Sequence, residues 1–298
     1  MSQITALPTT AGRRLATRAT WRGSFKPLIT YGVLSLVALI LMVPIFWLVI
    51  TALKKDVEYL SFPIKFFPAV PQWTNFADVF IDRYQFLHHA GLTFFLATMF
   101  ATLCVLSSSL GGYAFARFPD VKASHSLFVL IVAMIIIPSI VTIIPSFMIF
   151  AKIHLTGTYW PWVLWGLAGS PYHIFLFRQF FLSFPKELED AAEVDGCDPF
   201  GIFWRIFLPN ASAALATSFI LNFIWVWGDW LTPQIYLRAD NTTLAVLINL
   251  AFTNPRGDLL TTLTLAAIVI YTLPIVLIFF LGQRYILKGV VTSGLSGR

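Results

Sequence analysis

The chain has 298 residues, of which 58% are hydrophobic and only 11% charged, with a mean hydropathy of +0.79. That leaves too little polar surface for a water-soluble globule of this length and indicates an integral membrane protein. The formal net charge of +6 is spread over segments flanking the apolar runs rather than gathered on one face, which argues against nucleic acid as a partner.

Apolar runs occupy residues 28–52, 91–116, 127–151, 160–182, 211–231 and 261–281. Each matches the roughly 20 residues needed to cross about 30 Å of hydrocarbon. They lack the alternation of barrel strands, and backbone polar groups in lipid must be satisfied within the segment. The runs therefore predict an all-α, polytopic membrane fold with six transmembrane helices in a membrane domain spanning 28–286.

Residues 1–27 carry Arg13, Arg14, Arg18, Arg22 and Lys26 and no acid, which predicts a cytoplasmic amino-terminal segment. The run that follows is too long for a signal-peptide core and lacks a small-residue cleavage site, so a retained first helix is expected. Between Lys54 and His89, Pro63, Pro68 and Pro71 with scattered aromatics predict an ordered outer loop with a helical turn near 75–81. The second run closes in Gly111-Gly112-Tyr113-Ala114-Phe115-Ala116-Arg117-Phe118, where small residues allow close helix contact and Arg117 reads as an interfacial anchor. Prolines 44, 138, 145, 161, 171 and 274 lie in or beside the runs and mark possible kinks. With six crossings, thirteen of the 20 lysines and arginines fall on the side holding both termini, which predicts cytoplasmic amino and carboxyl ends. Cys104 and Cys197 fall in separate regions and predict free thiols, and the glycine-rich stretch to Arg298, with a tail at 287–298, reads as a frayed end.

Between the fourth and fifth runs, residues 184–209 form a charged island. Ser183 is a candidate helix cap, Pro185 suits a first turn, and Glu187, Glu189 and Asp190 place negative charge at the positive end of the helix dipole. Gly196 can end that helix. Asp198 offers a second cap ahead of Pro199, opening a helix on which Phe200, Phe203 and Phe207 share a face. Two short helices joined by a glycine turn would form a rigid knob. Its excess of acid disfavours a resting place on anionic lipid.

Asp190-Ala191-Ala192, Gly196 and Ile206-Phe207-Leu208-Pro209 resemble the coupling loop of the permease subunits of ATP-binding-cassette importers, with its acid-Ala-Ala triplet, glycine and Ile-x-Leu-Pro. The likeness extends to Ala52-Leu53-Lys54-Lys55, Phe177-Arg178-Gln179-Phe180-Phe181 and Trp227-Gly228-Asp229-Trp230-Leu231. From residue 28 onward nearly the whole chain resembles the smaller, six-span permease of the maltose-type carbohydrate importers. The resemblance implies a type I importer permease fold in a bacterial-type inner membrane, with Glu189, Asp190, Ala191, Ala192, Asp195, Gly196, Arg205, Ile206, Leu208 and Pro209 in contact with an ATPase. It further implies a second, related permease, an ATPase dimer that holds ATP and Mg, an extracytoplasmic solute-binding protein, surrounding lipid, and a carbohydrate cargo. No cofactor is expected on this chain. Asp190 stands where the family more often has glutamate, so its reach is shorter and Glu189 could share the pairing. Trp-Gly-Asp-Trp replaces the family's usual Trp-Asn-Glu-Phe.

Polar and aromatic groups within the runs nominate a cargo path: Asn222, Trp225 and Trp227 on the fifth, Tyr172 on the fourth. Indole faces suit the CH face of a pyranose, although tryptophans at a span's end also form interfacial belts, and an asparagine can simply bridge two helices. Asp229 and Trp230 read as interfacial, and His173 as a packing residue rather than a metal ligand. There is no P-loop and no HExxH pair, so no catalytic set or metal site is predicted, and ATP hydrolysis is assigned to another polypeptide. A glycerol phosphodiester or charged oligosaccharide is the alternative cargo. An ion-coupled secondary transporter is the alternative class, disfavoured because the runs hold almost no acid.

Overall fold

The computed structural model describes residues 25–81, 85–250, 252 and 260–295, and the regular structure among them is helical. Residues 1–24 of the amino-terminal segment and 296–298 of the tail lie outside the described residues. The chain divides into two compact units, Met1–Trp47 and Leu48–Arg298.

The described part of the first unit is the greater share of helix α1, Phe25–Ala52. Its side chains from Leu28 to Trp47 are almost all apolar and all exposed, a surface suited to hydrocarbon and not to water. Pro44 sits inside this helix without ending it.

The second unit begins with the last turn of α1, where Ala52 is buried in a cluster with Val79, Phe86, Leu244 and Phe252. Short helices α2 (Asp56–Tyr59) and α3 (Thr74–Asp78) follow, then the long α4 (Phe86–Arg117). Next come α5 (Ser124–Met134), α6 (Ser139–Lys152), α7 (Trp160–Ala168) and α8 (Pro171–Leu182). After these stand α9 (Glu187–Val194), α10 (Pro199–Ile202), a π-helical turn (Phe203–Phe207) and α11 (Leu208–Asn210). The chain closes with α12 (Ser212–Gly228), α13 (Leu231–Tyr236), α14 (Leu244–Leu250) and α15 (Thr261–Leu295).

Helix α4 is the centre of the packing, with α7, α8, α12 and α14 all against it. Glycine permits the closest of these contacts. A Cβ on Gly112 would stand 2.6 Å from the Phe177 Cβ and 2.8 Å from the Arg178 amide nitrogen, so α4 and α8 meet backbone to backbone there. Leu96, Phe100, Trp162, Phe223, Trp227 and Tyr236 fill the adjoining core.

Three described helices are long and apolar enough to cross a membrane unbroken: Pro27–Ala52, Phe86–Arg117 and Thr261–Tyr285. Two more candidate spans are bent pairs, Ser124–Met134 with Ser139–Lys152 at 106° and Pro199–Asn210 with Ser212–Gly228 at 79°. The run at 127–151 breaks at Pro138, which has no N–H to give and holds an extended backbone. The run at 160–182 divides at Gly169, whose φ of +74° lies in the left-handed region, and Pro171 then opens α8. The tail differs from its expectation: α15 continues helically to Leu295. An isolated glycine costs a helix only about 1 kcal/mol, too little for Gly289 or Gly294 to stop it.

Candidate coupling site

The charged island folds as two short helices around a glycine turn. In α9 the first turn carries Glu187, Glu189 and Asp190, placed to interact favourably with the exposed amides. Ser183 does not cap this helix. Its hydroxyl donates instead to the Phe180 carbonyl at 2.6 Å, closing α8, and Lys186 precedes α9 without a side-chain cap bond. Gly196 adopts φ +81°, and the Cys197 N–H returns to the Ala192 carbonyl at 2.9 Å, closing the helix end in the manner of a Schellman turn. The cap at Asp198 forms as its sequence indicates, with the carboxylate accepting from the Gly201 N–H at 3.1 Å and Pro199 in the first helical position.

Phe203 and Phe207 are buried, but Phe200 is 59% exposed and stacks on Trp204 with ring centroids 6.3 Å apart. It departs from its expected face because on α10 it is Ile202, not Phe200, that turns into the cluster holding Phe203 and Phe207. Beneath the knob lies an aromatic cluster. The Tyr113 ring is 4.9 Å from Phe207 and 5.3 Å from Phe203, and Phe207 is 5.1 Å from Phe184 and 5.3 Å from Phe181. The Tyr113 hydroxyl donates to the Pro199 carbonyl at 3.1 Å, pinning the start of α10 to α4.

Arg117, the last residue of α4, is more than an interfacial anchor. Its Nε stands 3.2 Å from Glu189 Oε2, an ion pair outside linear hydrogen-bond alignment. Its Nη2 donates to the Phe184 carbonyl at 3.0 Å, and its guanidinium lies 4.9 Å above the Phe207 ring. Burial pushes the Glu189 carboxyl above its ordinary value; Arg117 and Lys186 pull it back, while Glu193 and Asp190 add to the rise.

The island residues nominated from sequence thus divide by direction. Asp190, Ala191, Asp195, Gly196, Arg205 and Pro209 are exposed; Glu189 and Ala192 are buried, and Ile206 and Leu208 are half-buried. With Glu189 turned inward toward Arg117, Asp190 is the acid of the neighbouring pair that faces outward. Sequence reasoning missed the roles of Tyr113 and Phe184 and gave Arg117 no partner. No local pattern signals these contacts, because each joins segments far apart in the chain.

The path residues separate in the same way. Asn222 is buried, its Nδ2 3.3 Å from His173 Nε2 and 2.8 Å from the Ser218 carbonyl, so it bridges α12 to α8. Trp227 is buried between Phe223 and Tyr271, with centroids at 5.7 and 5.6 Å, and its Nε1 donates to the Tyr271 carbonyl at 3.2 Å. Tyr172 and Trp225 are exposed. Trp225 lines a cavity of about 260 Å³ with Ser139, Ile143, Asp229 and Thr232. Asp229 therefore stands on a cavity wall, its Oδ1 accepting from the Thr232 N–H at 3.1 Å.

Residues 108–292 match the family described as binding-protein-dependent transport system inner membrane component. The arabinooligosaccharides transport system permease protein AraQ of Halalkalibacterium halodurans is 32% identical, over 91% of this chain and 96% of its own. The lactose transport system permease protein LacG of Rhizobium radiobacter is 29% identical, over 92% and 98%. In fold, the chain is similar to one in the crystal structure of a bacterial ABC transporter involved in the import of the acidic polysaccharide alginate. The TM-score is 0.76 at 20% identity, covering 93% of this chain and 99% of that one.

Proposed function

Because the chain belongs to the inner membrane components of binding-protein-dependent transport systems, we propose that it is the permease subunit of an ATP-driven importer of an oligosaccharide. The observation that carries this reading is the knob. It is short, capped at Asp198, closed at Gly196 and clamped from below by aromatic rings, so a force applied to it is passed on rather than absorbed. Its outward face carries Glu187, Asp190, Glu193, Asp195 and Asp198, a charge pattern complementary to a basic cleft.

In this reading α5 with α6, α7 with α8, and α12 each cross the membrane once, which with α1, α4 and α15 gives six crossings with both termini in the cytoplasm. An ATPase dimer, holding ATP and Mg, takes the knobs of this chain and of a second, related permease. ATP binding closes the dimer and draws the knobs together, and the helices rock between inward-facing and outward-facing states while a solute-binding protein delivers cargo from outside. ATP biases this equilibrium only by binding one state better than the other. This chain performs no bond chemistry. A carbohydrate cargo is supported by the names of AraQ and LacG and by the exposed indole of Trp225 on a cavity that also carries Ser139, Asp229 and Thr232.

The test is affinity purification of the full chain from its native membrane in mild detergent, with identification of co-purifying proteins and an uptake assay using labelled arabinotriose and lactose. We expect an ATPase and a second permease in the complex, and an Asp190→Lys variant that inserts normally but loses uptake. Recovery of the chain alone, or uptake unchanged in Asp190→Lys, would overturn the proposal.

A further inference from the structure

The contact between Arg117 and Glu189 has a property that the surrounding rings lack. Aromatic faces hold the knob against α4 and α8, yet stacked rings can slide. A guanidinium has a rigid planar fork, and one placed between a carboxylate, a carbonyl and a ring face fixes the register of all three. Arg117 does this at the end of α4: it holds Glu189 of α9, the Phe184 carbonyl between α8 and α9, and the ring of Phe207 in the π-helical turn. Helix α9, the link from α8 and the π-helical turn are thereby tied to one residue, while Tyr113 holds α10.

Stability alone is a poor account of the pair. Buried ion pairs are often no more stabilising than well-packed apolar groups of the same volume, because desolvation offsets the attraction. Glu189 illustrates the penalty, since its burial opposes the charged form on which the contact depends. The ion pair supplies geometry instead. It joins the knob to the helix against which α7, α8, α12 and α14 all pack.

We propose that Arg117 and Glu189 are positioning residues that make the knob and α4 move as one rigid body when the ATPase closes. The inference rests on the coupling reading above and divides the two neighbouring acids by role. Asp190 faces the partner, and Glu189 carries the displacement into the membrane through α4.

The test uses the full chain in its assembled complex, with Cys104→Ser and Cys197→Ser and spin labels at Val194→Cys and Leu110→Cys, both exposed positions, one on the knob and one on α4. Distances are measured by pulsed electron resonance without nucleotide and with ATP plus vanadate. The wild-type pair is expected to give a narrow distribution that does not change between the two states. Glu189→Gln keeps the shape and removes the charge. It is expected to match wild type without nucleotide, then to broaden and shift beyond the wild-type width once nucleotide is bound. Arg117→Lys, which keeps the charge but loses the fork, is expected to shift by an intermediate amount and guards against misfolding of the first variant.

Distributions in Glu189→Gln that match wild type in both states would overturn the proposal. So would equal broadening with and without nucleotide, because that is the mark of a packing role alone. An Asp190→Lys complex that loses uptake beside an unmoved Glu189→Gln rejects the strut and leaves the coupling reading standing. Full uptake in Asp190→Lys rejects both.

Discussion

Two glycines show how different demands produce the same residue. Gly196 is required by its backbone: with φ +81° and nothing within 4 Å of where a Cβ would stand, there is room for a side chain but not for its conformation. Left-handed backbone costs a residue other than glycine about 1–2 kcal/mol, and asparagine tolerates it best. Gly196→Val is therefore expected to reduce uptake per ATP hydrolysed, and Gly196→Asn to stay close to wild type, in reconstituted vesicles. Gly112 is required by its neighbours instead. Gly112→Ala drives a methyl into Phe177 and the α8 backbone, and overpacking of this kind costs about 1–3 kcal/mol. Thermal unfolding in detergent should show a lowered midpoint for Gly112→Ala and little change for Gly111→Ala, whose Cβ would meet Ile174 at an ordinary 3.6 Å. Gly196 was legible in the sequence because its turn is local, bounded by one helix before and one cap after. The pairing of Arg117 with Glu189 was not legible. An arginine at a span's end has an ample local explanation, and only the fold brings the acid of another helix to it.

At the scale of elements, the apolar runs located the helices well, but the proline positions did not tell which helices would break. Pro44 and Pro274 lie inside continuous helices, whereas Pro138 separates α5 from α6 at 106°. The ring always removes one donor; whether the helix bends or breaks depends on what neighbouring segments offer the freed carbonyl, and that is a tertiary matter. The start of α15 likewise depends on a distant residue. Asp56 Oδ1 accepts from both the Thr262 N–H at 3.0 Å and the Thr262 hydroxyl at 2.9 Å, so the carboxylate that caps the final helix comes from the first residue of α2. Loss of a helix cap costs about 1 kcal/mol. Asp56→Ala should accelerate amide exchange at Thr262 through Thr264 severalfold and leave exchange in α4 unchanged.

For the whole molecule, the decisive question is which side of the membrane holds the knob. The chain's own thiols can answer it, since Cys197 is half-buried in the knob turn and Cys104 is fully buried in α4. With this chain expressed alone, a membrane-impermeant maleimide is expected to label inside-out vesicles through Cys197 and to leave right-side-out vesicles unlabelled. Cys104→Ser should not alter the result, whereas Cys197→Ser should abolish labelling. The order in which the chain is made gives Arg117 an earlier task as well. It leaves the ribosome while Glu189 has yet to be synthesised, so during insertion the end of α4 carries an uncompensated cation of the kind that orients a nascent span. Once the knob folds, that cation is paired with Glu189 and half-buried. On the proposed topology, a charge able to orient the span is thus taken up in finishing the protein, and the mature surface shows it only in part.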